Sequence, residues 1–230
     1  MNDVVERPQA KPVIVRPRDA ASLILLRGSG RSLELLAGRR PSHVKFMPGV
    51  YVFPGGAIDR EDRQPWRVES GAEALPSRLQ CCARAALRET WEEVGVLVGR
   101  RRAAAPAPIP GLRPIEAAYA ERAVEAAFDT LVYVGRAITP TQVFRRFNTR
   151  FFVADGEHVF GDPAASEELE DVGWHPIARR PLEPFRDVTR FMLERALALR
   201  EGTASPQAPL LCTVGKMRQV RVCREAIRDL

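Results

Sequence analysis

Three glutamates gather near the end of one predicted helix. Glu89, Glu92 and Glu93 lie in the segment RETWEEVG, at separations of three and four residues that place them on one side of a helix. Like charges at this spacing repel each other, and the last turn of a helix disfavours anions. Carboxylate oxygens without histidine or cysteine suit Mg²⁺ or Mn²⁺. The spacing therefore indicates either a solvated charged face or a site for a divalent metal ion.

The helix that carries these glutamates is predicted to run from Leu79 to Val94. This segment is rich in alanine, contains neither proline nor glycine, and is followed by Gly95, a residue that commonly ends helices. Arg88 and Arg84 lie about one and two turns upstream of the acidic end and offset part of the repulsion. A divalent cation would offset it better, because it neutralises two charges at once.

Short apolar runs on both sides of this helix predict strands. ASLILLRG and SLELLAGRR are joined by a Ser-Gly junction and predict a β-hairpin, and VYVFPGG predicts a third strand. FRRFNTRFFVA and DVGWHPI predict two later strands, and PFRDVTRFMLERALALRE predicts a helix. The alanine- and glutamate-rich segment 115–134 is predicted to be helical. Strands at both ends of a central helix favour a mixed α/β sandwich.

Composition bounds the class of protein. The chain has 230 residues, a hydrophobic fraction of 45% and a charged fraction of 28%, which is typical of a globular protein. This length favours one domain over two. No apolar run approaches the roughly 20 residues that cross a bilayer, and the first residues lack the apolar core of a signal peptide.

The net charge of +6 is compatible with two kinds of anionic partner, a nucleic acid and a phosphate-rich small molecule. The arginines are scattered along the chain and do not form one basic block, so an arginine-rich background composition remains open. The four cysteines, Cys81, Cys82, Cys212 and Cys223, do not match the spacing of a zinc site. We therefore expect reduced thiols and a cytoplasmic protein.

The acidic helix segment resembles the second half of the Nudix box. That box reads Gly, five residues, Glu, seven residues, and then Arg-Glu-apolar-x-Glu-Glu-x-Gly-apolar. RETWEEVG followed by Val96 matches every charged position and the glycine. Thr90 departs from the pattern, since it stands where an aliphatic residue is usual. Upstream, FPGG is similar to the typical entry to the box, and Gly56 corresponds to its first glycine.

The box is interrupted in this chain. Counting on from Gly56 places the upstream acid at Asp62, whereas counting back from Arg88 places it at Gln80. Because 25 residues separate Asp62 from Arg88 instead of seven, about 18 residues are inserted. The identity of the upstream acid stays open, while the match of the helix glutamates is unaffected.

The matches FMPGVYVFPGG, ALRETWEEVGVL and ITPTQVFRRFNTRFFVA together are similar to a Nudix branch that includes peroxisomal coenzyme A diphosphatases and their bacterial relatives. The resemblance runs from about Ala20 to Arg200 and implies a Nudix α/β/α sandwich with a mixed sheet and extra helices. We accordingly expect a flexible N-terminal arm over 1–18 and a Nudix domain over 19–202, with its insertion at about 61–78. The C-terminal extension 203–230 is expected to pack on the same domain.

The resemblance also implies roles for individual residues. Glu89, Glu92 and Glu93 are expected to bind Mg²⁺ or Mn²⁺, with Gly56 adding its backbone carbonyl. Arg88 is expected to orient a carboxylate through bidentate hydrogen bonds. Of these residues, Glu93, Glu89 and Arg88 are the candidates for catalysis.

A further acid from a later loop often serves Nudix enzymes as a ligand or general base. ASEELEDVGW supplies three candidates. We choose Glu168, with Glu167 and Glu170 as rivals, and a solvated acidic loop is the structural alternative.

Two cations are candidates for binding substrate phosphates. The coenzyme A branch carries Leu-Leu, one Arg, a second Arg and then Gly-x-x-x-Phe-Pro-Gly-Gly. This chain has Leu35-Leu36, Arg39 and GVYVFPGG, with Lys45 where the second arginine would stand. Arg39 and Lys45 are therefore predicted to contact phosphates, with surface cations at a strand end as the alternative.

The resemblance predicts a Mg²⁺- or Mn²⁺-dependent hydrolase that cleaves the pyrophosphate of coenzyme A or acyl-coenzyme A. Hydrolysis of ADP-ribose, NADH or a dinucleotide is the alternative within the same chemistry. A non-catalytic module that binds a nucleotide or nucleic acid is the alternative of another class, which the complete set of glutamates disfavours. No membrane partner is expected, and a homodimer stays open because dimers are common in the family.

Overall fold

The computed structural model describes residues 15–45, 47–104, 109–179, 185, 187–214 and 217–223. Over these ranges the chain forms three helices and fourteen strands. The helices are α1 (Ser77–Val94), α2 (Pro114–Glu121) and α3 (Asp187–Arg200). The strands are β1 (Arg18–Arg27), β2 (Glu34–Arg39), β3 (Tyr51–Val52), β4 (Gly55–Ala57), β5 (Glu69–Ser70), β6 (Leu97–Val98), β7 (Arg100–Arg101), β8 (Val124–Ala127), β9 (Val132–Ile138), β10 (Phe147–Asp155), β11 (Val159–Phe160), β12 (Glu170–Pro176), β13 (Pro209–Val214) and β14 (Met217–Val222).

A mixed sheet forms the centre of the fold. Its order is β12-β2-β1-β10-β9-β13-β14, with β3 beside β2 and β4 beside β1. Residues Ala20 to Leu26 of β1 are all buried, as expected for a strand covered on both faces. β1 pairs in parallel with β10 and antiparallel with β2 and β4. The predicted hairpin of β1 and β2 is therefore confirmed.

Helices cover both faces of the sheet. On one face, α1 contacts β1 and β4, and Leu23 of β1 and Leu87 of α1 belong to the same apolar core. On the other face, Ile24 of β1 shares a second core with Met192 of α3. Successive residues of β1 thus alternate between the two cores, as the pleat of a strand requires. This arrangement is the predicted α/β/α sandwich.

The prediction of a helix over residues 115–134 is wrong beyond Glu121. Ala123 has a left-handed backbone with φ of 49°, and the chain then continues as β8 and β9. Val124 and Ala126 are buried, while β8 pairs with β5 and β7 in a small second sheet. Strand pairing and burial therefore outweigh the helix propensity of alanine and glutamate here.

The C-terminal segment extends the central sheet. β13 pairs in parallel with β9, and β14 pairs antiparallel with β13, so β13 and β14 form a hairpin. The predicted N-terminal arm overlaps β1 at Arg18, and its residues 1–14 lie outside the described ranges. Among the helices that the structure describes, none is long and apolar enough to cross a membrane. The four cysteines all lie within the described ranges, and none of them forms a disulfide there.

Candidate active site

The end of α1 is fixed by its local sequence. Gly95 adopts the left-handed conformation with φ of 77°, and its N–H donates to the Trp91 carbonyl at 2.9 Å. Thr90, which departs from the aliphatic pattern of the box, is buried and donates its hydroxyl to the Ala86 carbonyl at 2.7 Å. The threonine therefore satisfies its polar group within the helix and leaves the packing of α1 intact.

Two glycines bring the backbone of β4 close to α1. Gly55 has φ of 157°, and a Cβ there would lie 2.4 Å from the Ala21 carbonyl oxygen. At Gly56, a Cβ would lie 2.5 Å from the carboxyl carbon of Glu89. Only glycine fits both positions without displacing its neighbours. The FPGG segment thus places the two glycines of β4 directly against Glu89, the first glutamate of the helix.

Glu93 is the most buried acid of α1, with 5% of its surface exposed. One carboxylate oxygen accepts a hydrogen bond from the Gly55 N–H at 2.8 Å. Burial raises the pKa of Glu93 to about 8, and the charges of Glu89 and Glu168 act in the same direction. The Gly55 N–H and the positive charge of Arg40 oppose this rise in pKa.

Glu89 lies one turn before Glu93 and is also largely buried. Burial raises the pKa of Glu89 to about 7, while Arg88 opposes this rise. The charges of Glu92 and Glu168 raise the pKa further. Two buried carboxyl groups with raised pKa values thus lie beside Gly55 and Gly56 of β4. Such a pattern is typical of functional sites.

Arg88 connects α1 to the segments around it. Its guanidinium donates to Asp62 through Nε at 3.1 Å and Nη2 at 2.9 Å, and to the Ala57 carbonyl at 3.0 Å. Its Nη1 donates to Glu89 at 3.0 Å and to Glu92 at 2.7 Å. The Arg88 guanidinium therefore contacts three carboxylates, those of Asp62, Glu89 and Glu92.

The structure also distinguishes the two candidates for the upstream acid of the box. Asp62 is 1% exposed, and its carboxylate accepts both hydrogen bonds from Arg88. Gln80, the position reached by counting back, donates instead to the carbonyls of Ala72 and Leu75. Asp62 therefore stands where the box acid is expected, although a shorter side chain replaces glutamate.

Glu92 is oriented differently from Glu89 and Glu93. Its side chain is 44% exposed and is held by the salt bridge to Arg88. Within the described ranges, no three His, Cys, Asp or Glu side chains converge closely enough to hold a metal ion. The structure thus brings Glu89 and Glu93 together beside Gly56 and leaves Glu92 at the rim.

The donor groups around Glu89 and Glu93 nevertheless suit a hard divalent cation by their chemistry. Two carboxylates and the nearby Gly56 backbone offer oxygen donors only, which is the ligand set that Mg²⁺ and Mn²⁺ prefer. Burial disfavours the ionised form of both acids, and a bound cation would reverse this preference. Because Gly56 has no side chain, its backbone can approach the Glu89 carboxylate closely at this site.

The three candidates for a further acid are Glu167 and Glu168 in the loop before β12 and Glu170 at the first position of that strand. Glu168 is exposed, and its charge raises the pKa of both Glu89 and Glu93, so it faces the same site. Glu170 accepts a hydrogen bond from Arg39 at 3.1 Å, and Glu167 is exposed. Of the three acids, Glu168 has the clearest electrostatic link to the buried pair.

The cations predicted to contact phosphates occupy the end of β2 and the loop after it. Arg39 forms a salt bridge with Glu170, and Lys45 is exposed on the loop. Arg40, which the sequence reasoning missed, lowers the pKa of Glu93 through its charge and so lies on the site side. Arg40 lies just beyond the end of β2, and its position next to the predicted Arg39 was the signal available in the sequence.

The chain resembles two curated proteins over parts of their length, while no family model matches it. It is 27% identical over 215 residues to a Caenorhabditis elegans protein named putative nudix hydrolase 7, covering 90% of this chain and 64% of the relative. It is 30% identical over 151 residues to the human acyl-coenzyme A diphosphatase NUDT19, covering 44% of this chain and 40% of the relative. The chain thus spans less than two thirds of either curated relative.

A solved structure resembles the fold over most of its length. The crystal structure of a NUDIX hydrolase from Alicyclobacillus acidocaldarius superposes with a TM-score of 0.61 at 27% identity. The superposition covers 84% of this chain and 98% of the other. Sequence and fold therefore point to the same family as the box residues of α1.

Proposed function

Because the chain resembles Nudix hydrolases in sequence and in fold, we propose that it belongs to this superfamily and hydrolyses the pyrophosphate bond of a nucleoside diphosphate linked to another group, with Mg²⁺ or Mn²⁺ as cofactor. The observation that supports this most is that the buried carboxylates of Glu89 and Glu93 lie against Gly55 and Gly56 of β4. Burying two acids side by side is unfavourable unless a cation compensates them. A divalent cation bound to substrate phosphates would do so.

In this proposal each residue of the site has a separate role. Glu89 and Glu93 hold the metal ion, with the Gly56 carbonyl and Glu92 as further donors. When bound, the ion would neutralise phosphate charge and lower the pKa of the attacking water. Arg88 keeps the carboxylates oriented through its hydrogen bonds.

The chemical step is the attack of water on one phosphorus of the pyrophosphate. The new phosphorus–oxygen bond replaces the bond to the bridging oxygen, and two phosphate monoesters leave. Glu168, whose charge reaches both buried acids, is proposed as the base that accepts the proton of the water. Its exposure to solvent allows the proton to leave the site.

We propose coenzyme A or acyl-coenzyme A as the substrate. The likeness to a relative named acyl-coenzyme A diphosphatase supports this choice, as does the partial signature with Arg39 and Lys45. Arg40 adds a positive charge on the side of Glu93. These three cations would contact the phosphates of the substrate, since a polyanion needs several positive charges for tight binding.

The net charge of +6 fits such an anionic small molecule as well as it fits a nucleic acid. All three glutamates of the box, Glu89, Glu92 and Glu93, are present in this chain. Their presence favours hydrolysis over binding alone, so a nucleic-acid partner is not expected. A homodimer remains a proposal that light scattering of the purified protein would test.

A metal-dependent hydrolysis screen tests the proposed function. The purified chain is incubated with Mg²⁺ or Mn²⁺ and coenzyme A, acetyl-coenzyme A, ADP-ribose, NADH or a dinucleoside polyphosphate, and products are identified by mass spectrometry. We expect coenzyme A to yield adenosine 3′,5′-bisphosphate and 4′-phosphopantetheine, with no product when a chelator is present. Faster hydrolysis of ADP-ribose or NADH would change the assigned substrate. Tight nucleotide binding without any turnover would contradict an enzymatic function.

A further inference from the structure

A buried ion pair joins the inserted segment of the box to α1. Arg84 donates through Nε and Nη2 to the two carboxylate oxygens of Glu69, both at 2.7 Å. The side chains are 4% and 9% exposed, and the Arg84 guanidinium also lies 5.5 Å from the ring centroid of Phe128. A bidentate pair that is removed from water fixes the positions of both partners, because either charge alone would be strongly disfavoured there.

The same arginine also contacts the segment that carries the upstream acid. Arg84 Nη1 donates to the backbone carbonyl of Asp62 at 3.4 Å, while the Asp62 carboxylate accepts from Arg88. Arg84 and Arg88 lie one helical turn apart, on the same side of α1. Arg84 thus binds Glu69, and Arg88 binds Asp62. Asp62 is held through its backbone carbonyl by Arg84 and through its carboxylate by Arg88.

The outer side of the inserted segment is held by the residues that begin α2. Arg113 donates to the carbonyls of Glu61 and Pro65, both at 2.8 Å. The ring of Trp66 packs near Tyr119 of α2, with their centroids 6.1 Å apart. The insertion is therefore a folded part of the site wall, and the contact at Glu61 is immediately next to Asp62.

We propose that Glu69 and Arg84 are positioning residues of the hydrolytic site. Together they hold Asp62 against Arg88, and Arg88 in turn holds Glu89 and Glu92. In the Nudix box seven residues lie between the upstream acid and the arginine of the helix. In this chain 25 residues lie between Asp62 and Arg88, and this longer segment has its own ion pair with α1. This inference rests on the proposed function for its effect on catalysis, but its effect on Arg88 can be measured without turnover.

The test compares Glu69→Gln with Asp129→Asn. The substitution Glu69→Gln keeps the size of the side chain and removes its charge. Asp129 is a matched control, because it forms a bidentate pair with Arg100 at 2.9 and 2.6 Å beside the same small sheet. Solvent exchange of the Arg88 Nε–H is measured by ¹⁵N NMR, with the signal assigned from its loss in Arg88→Lys.

We expect Glu69→Gln to accelerate exchange at Arg88 Nε–H about tenfold or more and to lower kcat by roughly tenfold to a hundredfold, as loss of an orienting contact does. Asp129→Asn should change neither quantity. In an Asp62→Asn background, Glu69→Gln should add little further loss, because the link through which it acts is already broken. A folded Glu69→Gln variant with lower thermal stability but unchanged Arg88 exchange would overturn the proposal.

A second variant covers the case in which Glu69→Gln does not fold. Arg84→Lys keeps the positive charge of this position but cannot form the bidentate pair with Glu69, and it should also accelerate exchange at Arg88. Unchanged exchange in this variant would overturn the proposal. A wild-type chain without hydrolytic activity would instead refute the proposed function, while the exchange result would still decide the positioning role.

Discussion

Arg88 holds the carboxylate of Asp62 through two hydrogen bonds, at 3.1 and 2.9 Å, although 25 residues lie between them. The contact closes the interrupted box in space, because Asp62 comes from the segment after Gly56 and Arg88 from the middle of α1. The same guanidinium reaches Glu89 and Glu92. The geometry of the acidic helix therefore depends on a residue of the inserted segment.

Replacing Asp62 with asparagine should weaken this link. We expect Asp62→Asn to lower kcat by about tenfold to a hundredfold, since groups that orient ligands carry effects of this size. Asp59→Asn is the matched control, because Asp59 is more exposed and lies 3.8 Å from the same guanidinium. Steady-state kinetics would measure both variants. Equal activity of the two variants would show that the Asp62 contact has no role in the site.

A methyl group at position 56 should disturb the place where the metal ion is proposed to bind. In Gly56→Ala, the new Cβ would lie 2.5 Å from the carboxyl carbon of Glu89, so either the Glu89 side chain or the backbone of β4 must shift. We expect the metal-dependent rate to fall on the order of a hundredfold, as misplacement by about 1 Å can cause. Gly173→Ala is the control, since no atom lies within 4 Å of a Cβ there. Calorimetric titration with Mn²⁺ should show weaker binding only in Gly56→Ala.

Stability of the metal-free protein should depend on pH through Glu93. Burial raises its pKa to about 8 in the folded protein, whereas an unfolded glutamate titrates near about 4.3. The stabilising contribution is therefore fully present below about pH 4 and is lost as pH rises towards 8. The free energy of unfolding should fall over this range in wild type and less steeply in Glu93→Gln. Parallel slopes in urea denaturation would contradict the assigned pKa.

Glu168 should matter more than its neighbour in the same loop. Glu168 affects both buried acids through its charge, and general base catalysis contributes roughly 10²- to 10⁴-fold to a rate. We expect Glu168→Gln to lower kcat by at least a hundredfold and Glu167→Gln to leave it nearly unchanged. Similar rates in the two variants would exclude Glu168 as the base.

Local features of the site could be predicted from the sequence. α1 was expected to end before Gly95 and does so, because a glycine stop and an unbroken alanine-rich segment act within one or two turns. The hairpin of β1 and β2 follows similarly from two apolar runs that are joined by a short Ser-Gly junction. The positions of Glu89 and Glu93 on α1 needed no tertiary information.

Contacts between distant segments could not be predicted in the same way. Counting along the chain left Asp62 and Gln80 as equal candidates, and only the folded insertion brings Asp62 to Arg88. Burial separates the side chains of Glu92 and Glu93, although both lie in the last turn of α1. The segment after Glu121 was predicted to be helical from composition, whereas pairing with β5 and β7 makes it a strand.

The most direct test of the central claim is the Mg²⁺-supported hydrolysis of coenzyme A by wild type and by Glu93→Gln, measured side by side with product analysis. If Glu93 helps to hold the metal ion, the substitution should lower kcat by at least about a hundredfold while the protein stays folded. Equal rates in the two proteins would contradict the assignment of the buried Glu89–Glu93 pair as the hydrolytic centre.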